Sequence, residues 1–172
     1  MLALCAASPR RPPDQPRRRH PGVPRLHSLT RAPLTSPADT RVGRASRRAG
    51  LVLIVDDSLH TRELYTEYLT YRGLGVVSAP DATMGMHLAE TLRPDVIVMD
   101  ISMPGINGIT ATHRLRRSPR TRRIPIVVLT GHAYRAIEQG ALEAGADVFL
   151  TKPCLPEDLE SRIRQLLAAR GA

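Results

Sequence analysis

Several residue types are almost missing from this 172-residue chain: it has no tryptophan, one phenylalanine, two cysteines and one lysine. Cys5 and Cys154 stand near opposite ends, the second beside a proline. Two cysteines so placed supply neither a disulfide framework nor a zinc site, and a reducing cytoplasm is the expected compartment. Long apolar runs are lacking too. The most apolar stretches stop within about six or seven residues, well short of the roughly 20 that a bilayer-crossing helix needs, so no membrane partner is expected. At the start, Met1-Leu2-Ala3-Leu4-Cys5-Ala6-Ala7 gives way at once to prolines and arginines, which leaves too little apolar chain for a secretory signal.

Acids are scarce only in one place. Residues 1–50 hold 11 of the 25 basic residues but only Asp14 and Asp39 as acids, so they carry the whole formal charge of +9. Eight of the 15 prolines also fall there, in runs such as Arg10-Arg11-Pro12-Pro13 and Arg17-Arg18-Arg19-His20-Pro21. Proline removes backbone donors, and few apolar side chains remain to offset chain entropy, so residues 1–48 are expected to form a disordered basic tail. Residues 51–172 balance 14 basic against 14 acidic residues and have the apolar content for one buried core.

From Leu51 the pattern becomes regular. Leu51-Val52-Leu53-Ile54-Val55 reads as a strand covered on both faces and ends in Asp56-Asp57. Asp57-Ser58 can cap a helix in which Leu64, Tyr65, Tyr68 and Leu69 recur at helical spacing, and Gly73 closes it. A second strand over Gly75–Ala79 and a helix over Asp81–Leu92 follow, stopped by Pro94. Then come a strand over Asp95–Met99 ending at Asp100, a short helix over Gly108–Leu115, and a strand over Ile124–Leu129 ending at Thr130. The last cycles are a helix over Ala133–Ala144, a strand over Asp147–Leu150 leading into Thr151-Lys152-Pro153, and a helix over Pro156–Ala169. Strands alternating with helices at this spacing predict an α/β domain, a doubly wound parallel sheet with right-handed crossovers. Such sheets bind ligands beyond the carboxyl ends of their strands.

Five polar residues fall on that edge: Asp56 and Asp57 after the first strand, Asp100 after the third, Thr130 after the fourth and Lys152 after the fifth. Singly, each is ordinary; Asp57 reads as a helix cap and Thr130 as a strand-end residue. Together, three carboxylates on one rim repel each other unless a cation sits among them, and oxygen donors suit Mg²⁺ with a phosphate oxygen as partner. Of the 25 basic residues 24 are arginine, and the one lysine is Lys152, beside the acids. A compact ammonium bridges a carboxylate and a phosphoryl oxygen better than a planar guanidinium does.

The segments Val52–Ser58, Val96–Gly108, Val127–Gly131 and Gly145–Pro153 together resemble the receiver domain of two-component response regulators, over essentially all of residues 51–172. The resemblance implies a flavodoxin-like (βα)5 fold with strand order 2-1-3-4-5 in a domain over residues 49–172. By it, Asp100 is the phosphoacceptor, charged from a phosphohistidine of a histidine kinase or phosphotransfer protein. Asp56, Asp57, Asp100 and the backbone carbonyl of Ser102 hold Mg²⁺. Lys152 neutralises the phosphoryl oxygens, Thr130 hydrogen-bonds the new group, and Phe149 turns inward as Thr130 moves. Pro153 follows Lys152 through a cis peptide, Gly108 serves the turn into the third helix, and Met103-Pro104-Gly105 covers the site. The chain would catalyse its own phosphorylation and slow dephosphorylation, with no separate output enzyme domain after Ala169, and would present the face of helix four, strand five and helix five to a downstream protein. Phosphorylation-dependent homodimers stay open.

Other positions are less telling. Ser102 and His132 occupy places that tune phosphoryl lifetime in the family, and His132 is expected to face solvent. Cys154 is expected to be a small buried filler, and Tyr65, Tyr68 and Tyr71 packing and helix-edge residues. His60, His87 and His113 share no ligand spacing. The arginines from Arg114 to Arg123 read as a solvated loop. Two rival functions are a docking module of this fold without phosphorylation, and nonspecific nucleic-acid contact through the tail by counterion release; no base-reading element is visible, and nucleic acid is not the expected partner.

Overall fold

The computed structural model describes residues 50–132 and 134–171. The expectation for residues 1–48, and the placing of Ala133 at a helix start, lie outside the described residues. Within them run β1 Leu51–Val55, α1 Leu59–Tyr71, β2 Gly75–Ala79, α2 Ala82–Leu92, β3 Val96–Met99, α3 Gly108–Arg117, β4 Ile126–Thr130, α4 Arg135–Glu143, β5 Val148–Thr151 and α5 Pro156–Gly171. All strand pairs are parallel and the sheet order is β2-β1-β3-β4-β5, as expected.

The central strands β1 and β3 are apolar throughout because both faces are covered, and strand alternation divides the core. Leu53 and Val55, Ile97 and Met99, and Ile126 and Val128 pack with Ala82 and Ala89 of α2, Ala111 and Leu115 of α3 and Ala141 of α4. Their neighbours Val52, Ile54, Val96, Val98, Val127 and Leu129 pack on the other face with Tyr65 and Leu69 of α1 and Leu159 and Ile163 of α5. Small residues on α2 let it sit close: a Cβ at Gly85 would lie 2.7 Å from Val55 Cγ2.

Local chemistry sets the helix starts. Ser58 Oγ accepts from the Thr61 N–H at 3.3 Å, an Asp81 carboxylate oxygen from the Met84 N–H at 2.8 Å, and Asn107 Oδ1 from the Thr110 N–H at 2.8 Å. Helix α2 ends where Arg93 turns left-handed (φ 50°), ahead of Pro94, which disfavours a helical residue before it.

Three expectations at element level need correction. Ile124 is buried but outside the ladder: its N–H closes a turn onto the Thr121 carbonyl, and the strand begins after Pro125. Asp95 and Asp147 precede β3 and β5 rather than joining them. Asp95 Oδ2 accepts from the Leu51 N–H at 2.8 Å and Asp147 Oδ2 from the Ile126 N–H at 2.7 Å, so each satisfies a donor at the amino edge of the sheet. Leu64 is exposed, because the buried line of α1 runs through Tyr65 and Leu69.

Candidate functional site

Strand register brings the site together. Val55 pairs with Met99, so the residues that follow, Asp56 and Asp100, leave the sheet side by side, with the Asp100 N–H donating to the Val55 carbonyl at 2.8 Å. This is where strand order reverses, since β1 has its successor β2 on one side and β3 on the other. Thr130 pairs with Thr151, and the next residue, Lys152, donates its N–H to the Thr130 carbonyl at 2.8 Å.

From there the Lys152 ammonium reaches across the rim. Its Nζ donates to Asp56 Oδ2 at 2.6 Å and to Asp100 Oδ1 at 3.1 Å. Both carboxylates are 3% exposed, while the lysine side chain keeps 25% of its surface in solvent. The remaining oxygens are also engaged: Asp56 Oδ1 accepts from the Ser58 N–H and Asp100 Oδ2 from the Ser102 N–H, both at 2.9 Å. The Lys152–Pro153 peptide is cis, as the resemblance implied.

Charge in the pair is not balanced. Burial pushes the Asp100 carboxyl above its ordinary value, against the pull of Lys152 and the Ser102 N–H, and the neighbouring Asp56 charge adds to the rise. Burial works to lower Lys152, but its bonds to Asp56 and Asp100 outweigh it and hold the ammonium above its usual range. One ammonium between two buried carboxylates leaves a net negative charge.

The other expected residues stand around this core in different states. Asp57 is exposed, and its backbone carbonyl accepts from Arg62 Nη1 at 3.1 Å. Thr130 is fully buried; its Oγ1 accepts from the His132 N–H at 3.2 Å. Phe149 is half-buried against the α2–α3–α4 side of the core. Ser102 and His132 are exposed, but His132 does more than face solvent: its Nδ1 lies 2.9 Å from Ser102 Oγ, which joins the loops after β3 and β4. Cys154, expected as a small buried filler, is half-buried and packed beside the α1–α5 side of the core.

Gly108 has a stronger reason than a turn. A Cβ there would sit 2.0 Å from the Asp100 carbonyl oxygen and 2.9 Å from Ile101 Cα, so the first turn of α3 lies directly on the backbone that carries Asp100. Sequence reasoning also missed Arg62, whose Nη1 donates to the Asp56 carbonyl at 2.6 Å and fixes the acidic turn, and the Tyr65 hydroxyl, which reaches the Cys154 carbonyl at 2.9 Å. Arg62 carried the only local signal, a positive charge on the helix that follows an acid pair.

Among the described residues no three His, Cys, Asp or Glu side chains cluster as a metal site. Mg²⁺ does not require three, because it is held by one or two carboxylates and keeps several waters. Asp56 and Asp100 are hard oxygen donors, and with one ammonium between them they keep uncompensated negative charge. The pair therefore fits a magnesium ion.

A doubly wound sheet of this order, with carboxylates and one ammonium gathered at its switch point, defines a class of α/β domain suited to handling a phosphoryl group. Comparison with known proteins gives the family. Residues 52–164 match the response regulator receiver domain, and the chain belongs to that family, whose function is that of a phosphoacceptor in two-component phosphorelays. The chain is 37% identical over 117 residues to Protein PilH of Pseudomonas aeruginosa, covering 68% of this chain and 97% of PilH. It is 37% identical over 116 residues to the DNA-binding dual master transcriptional regulator RpaA of Synechocystis sp., covering 67% of this chain but 48% of RpaA. It thus spans about half the length of several curated relatives it matches. Among solved structures, the receiver domain of sensor histidine kinase PA1611 from Pseudomonas aeruginosa, with a magnesium ion coordinated in its active site cleft, aligns with a TM-score of 0.65 and 28% identity over 70% of this chain and 98% of that one. No helix among the described residues is long and apolar enough to cross a membrane.

Proposed function

We propose that Asp100 accepts a phosphoryl group from a phosphohistidine of a histidine kinase or phosphotransfer protein, in a Mg²⁺-dependent reaction, and that the product switches the face of α4, β5 and α5 for a partner protein. The observation that carries this reading is the Lys152 ammonium held between Asp56 and Asp100.

A carboxylate oxygen of Asp100 attacks phosphorus, an O–P bond forms as the N–P bond to the donor imidazole breaks, and the imidazole departs with its proton. Each Asp100 oxygen accepts one hydrogen bond from the protein and so retains a lone pair for the attack. Lys152 already touches Asp100 and can follow the charge onto the phosphoryl oxygens, as phosphoryl transfer demands. Asp56, Asp57, Asp100 and the Ser102 carbonyl would hold Mg²⁺, which supplies further positive charge to those oxygens when bound.

Thr130 and Phe149 would carry the switch. The Thr130 hydroxyl accepts a bond within its own loop, which leaves its proton for an incoming phosphoryl oxygen. Phe149, half-buried on β5 at the edge of the core, is the ring that would turn inward as Thr130 moves. Exposed Tyr134 and Leu142 at α4 offer apolar side chains to a partner.

Intact mass after treatment with acetyl phosphate tests the reading. Wild type should gain about 80 Da, one phosphoryl group, only with Mg²⁺ present, and Asp100→Asn should gain nothing. A gain that survives in Asp100→Asn would remove Asp100 from the role.

A further inference from the structure

Tyr65 is 3% exposed, its ring packed among Val52, Ile54, Leu69 and Leu159. Phenylalanine would fill that space equally well, so the hydroxyl needs its own reason. It donates to the carbonyl of Cys154 at 2.9 Å, 89 residues away in the chain. That carbonyl stands two residues beyond Lys152, past a proline that offers no N–H of its own. On the near side, the Lys152 N–H is tied to the Thr130 carbonyl at 2.8 Å. The backbone bearing Lys152 is therefore pinned at one end by the sheet and at the other by Tyr65. Helix α1, which carries Tyr65, begins directly after Asp56-Asp57, so one helix sets both the acidic turn and the lysine loop. Burial, with smaller effects from Cys154 and Asp56, pushes the Tyr65 phenol up to about 12, so it stays a donor at any working pH.

We propose that Tyr65 is a positioning residue for phosphoryl acceptance: through the Cys154 carbonyl, its hydroxyl holds the loop that aims Lys152 at Asp56 and Asp100. This rests on the role given to Lys152 above. Tyr68 supplies the comparison, because its hydroxyl lies on the same helix but donates to the Glu160 carboxylate of α5 at 3.2 Å instead of to the lysine loop.

The test uses full-length wild type, Tyr65→Phe and Tyr68→Phe. Because Lys152 is the chain's one lysine, acylation by a small amine-reactive activated ester at fixed pH, followed on its peptide by mass spectrometry, reports its accessibility directly. Loss of one neutral hydrogen bond predicts that Lys152 of Tyr65→Phe reacts roughly three- to tenfold faster and that phosphorylation by acetyl phosphate at saturating Mg²⁺ slows by a similar factor. The Mg²⁺ dissociation constant should stay within about twofold, since the lysine is no ligand, a split that general destabilisation would not produce. Tyr68→Phe should match wild type in both rates. Equal rates in Tyr65→Phe and wild type, or equal changes in the two variants, would overturn the inference. Should wild type accept no phosphoryl group, the phosphoacceptor reading fails, while the acylation arm still decides whether Tyr65 positions Lys152.

Discussion

Asp100 is held at a cost. Because burial raises its folded pKa above the unfolded value, the native state binds the proton more tightly; that stabilisation is present below the ordinary carboxylate range and is lost as pH rises through the folded value. At neutral pH without metal, the ionised Asp100 therefore works against folding. Asp100→Asn should raise Tm in metal-free buffer, by an increment of about 1 kcal/mol or a few degrees, and the difference should shrink as pH falls. Thermal melts of both proteins from pH 4 to 8 in chelator check this, and a lower Tm for the variant at pH 7 would contradict it. Gly108 acts at the same scale. With its Cβ 2.0 Å from the Asp100 carbonyl oxygen, Gly108→Ala must shift backbone, costing about 1–3 kcal/mol in denaturant titration and slowing phosphorylation of the chain that still folds. Lys152 stands out in the sequence because it is the only lysine, whereas the contact between Ser102 and His132, 30 residues apart, has no such mark. Long-range polar contacts between loops leave no periodic trace in sequence.

At the scale of elements, the seam between α1 and α5 is polar as well as apolar. Glu160 is nearly buried, and its oxygens accept from Arg72 Nε at 2.9 Å, Arg164 Nε at 2.7 Å and the Tyr68 hydroxyl at 3.2 Å. Burial works to raise its carboxyl, but the hydrogen bonds from Arg164 and Arg72 outweigh that and hold it below the usual range. A depressed folded value contributes stability above the unfolded pKa and loses it as pH falls through the folded one. Glu160→Gln should therefore cost about 1–2 kcal/mol at pH 7, discounted because both arginines are about half exposed, and the cost should fade in acid. Urea titrations at pH 7 and pH 3.5 measure it; a cost that does not diminish in acid would assign the loss to packing. Strands β1 and β3 are the most legible in the sequence because both faces are covered, leaving unbroken apolar runs that stop at Asp56 and Asp100. The first residues of β3 and β5 are not: Asp95 and Asp147 sit against the runs, and only the fold shows their carboxylates turned back to backbone N–H groups. Leu64 fits the helical spacing as well as Tyr65 does, and the tertiary partner of α1 decides between them.

For the molecule as a whole, the receiver architecture concentrates uncompensated negative charge at one point of the sheet rim, while the residues from 51 onward carry equal numbers of acids and bases. A divalent cation that binds the folded rim and not the unfolded chain must stabilise the fold. Mg²⁺ at 100 times its dissociation constant should add about 2.7 kcal/mol, and Asp56→Asn should lose most of that increment; melts with and without Mg²⁺ read both. The fold order, the rim and its residues can be read from sequence because strand ends and chemistry coincide there. The division of labour within the rim cannot: adjacent Asp56 and Asp57 look alike in sequence, yet one is buried against Lys152 and the other is exposed. The central claim is that the phosphoryl group resides on Asp100. Treating the phosphorylated chain with borohydride reduces an acyl phosphate to the alcohol, so the peptide containing Asp100 should carry homoserine at position 100 and nowhere else. Homoserine absent there, with the added mass found instead on Ser102 or His132, would contradict the account.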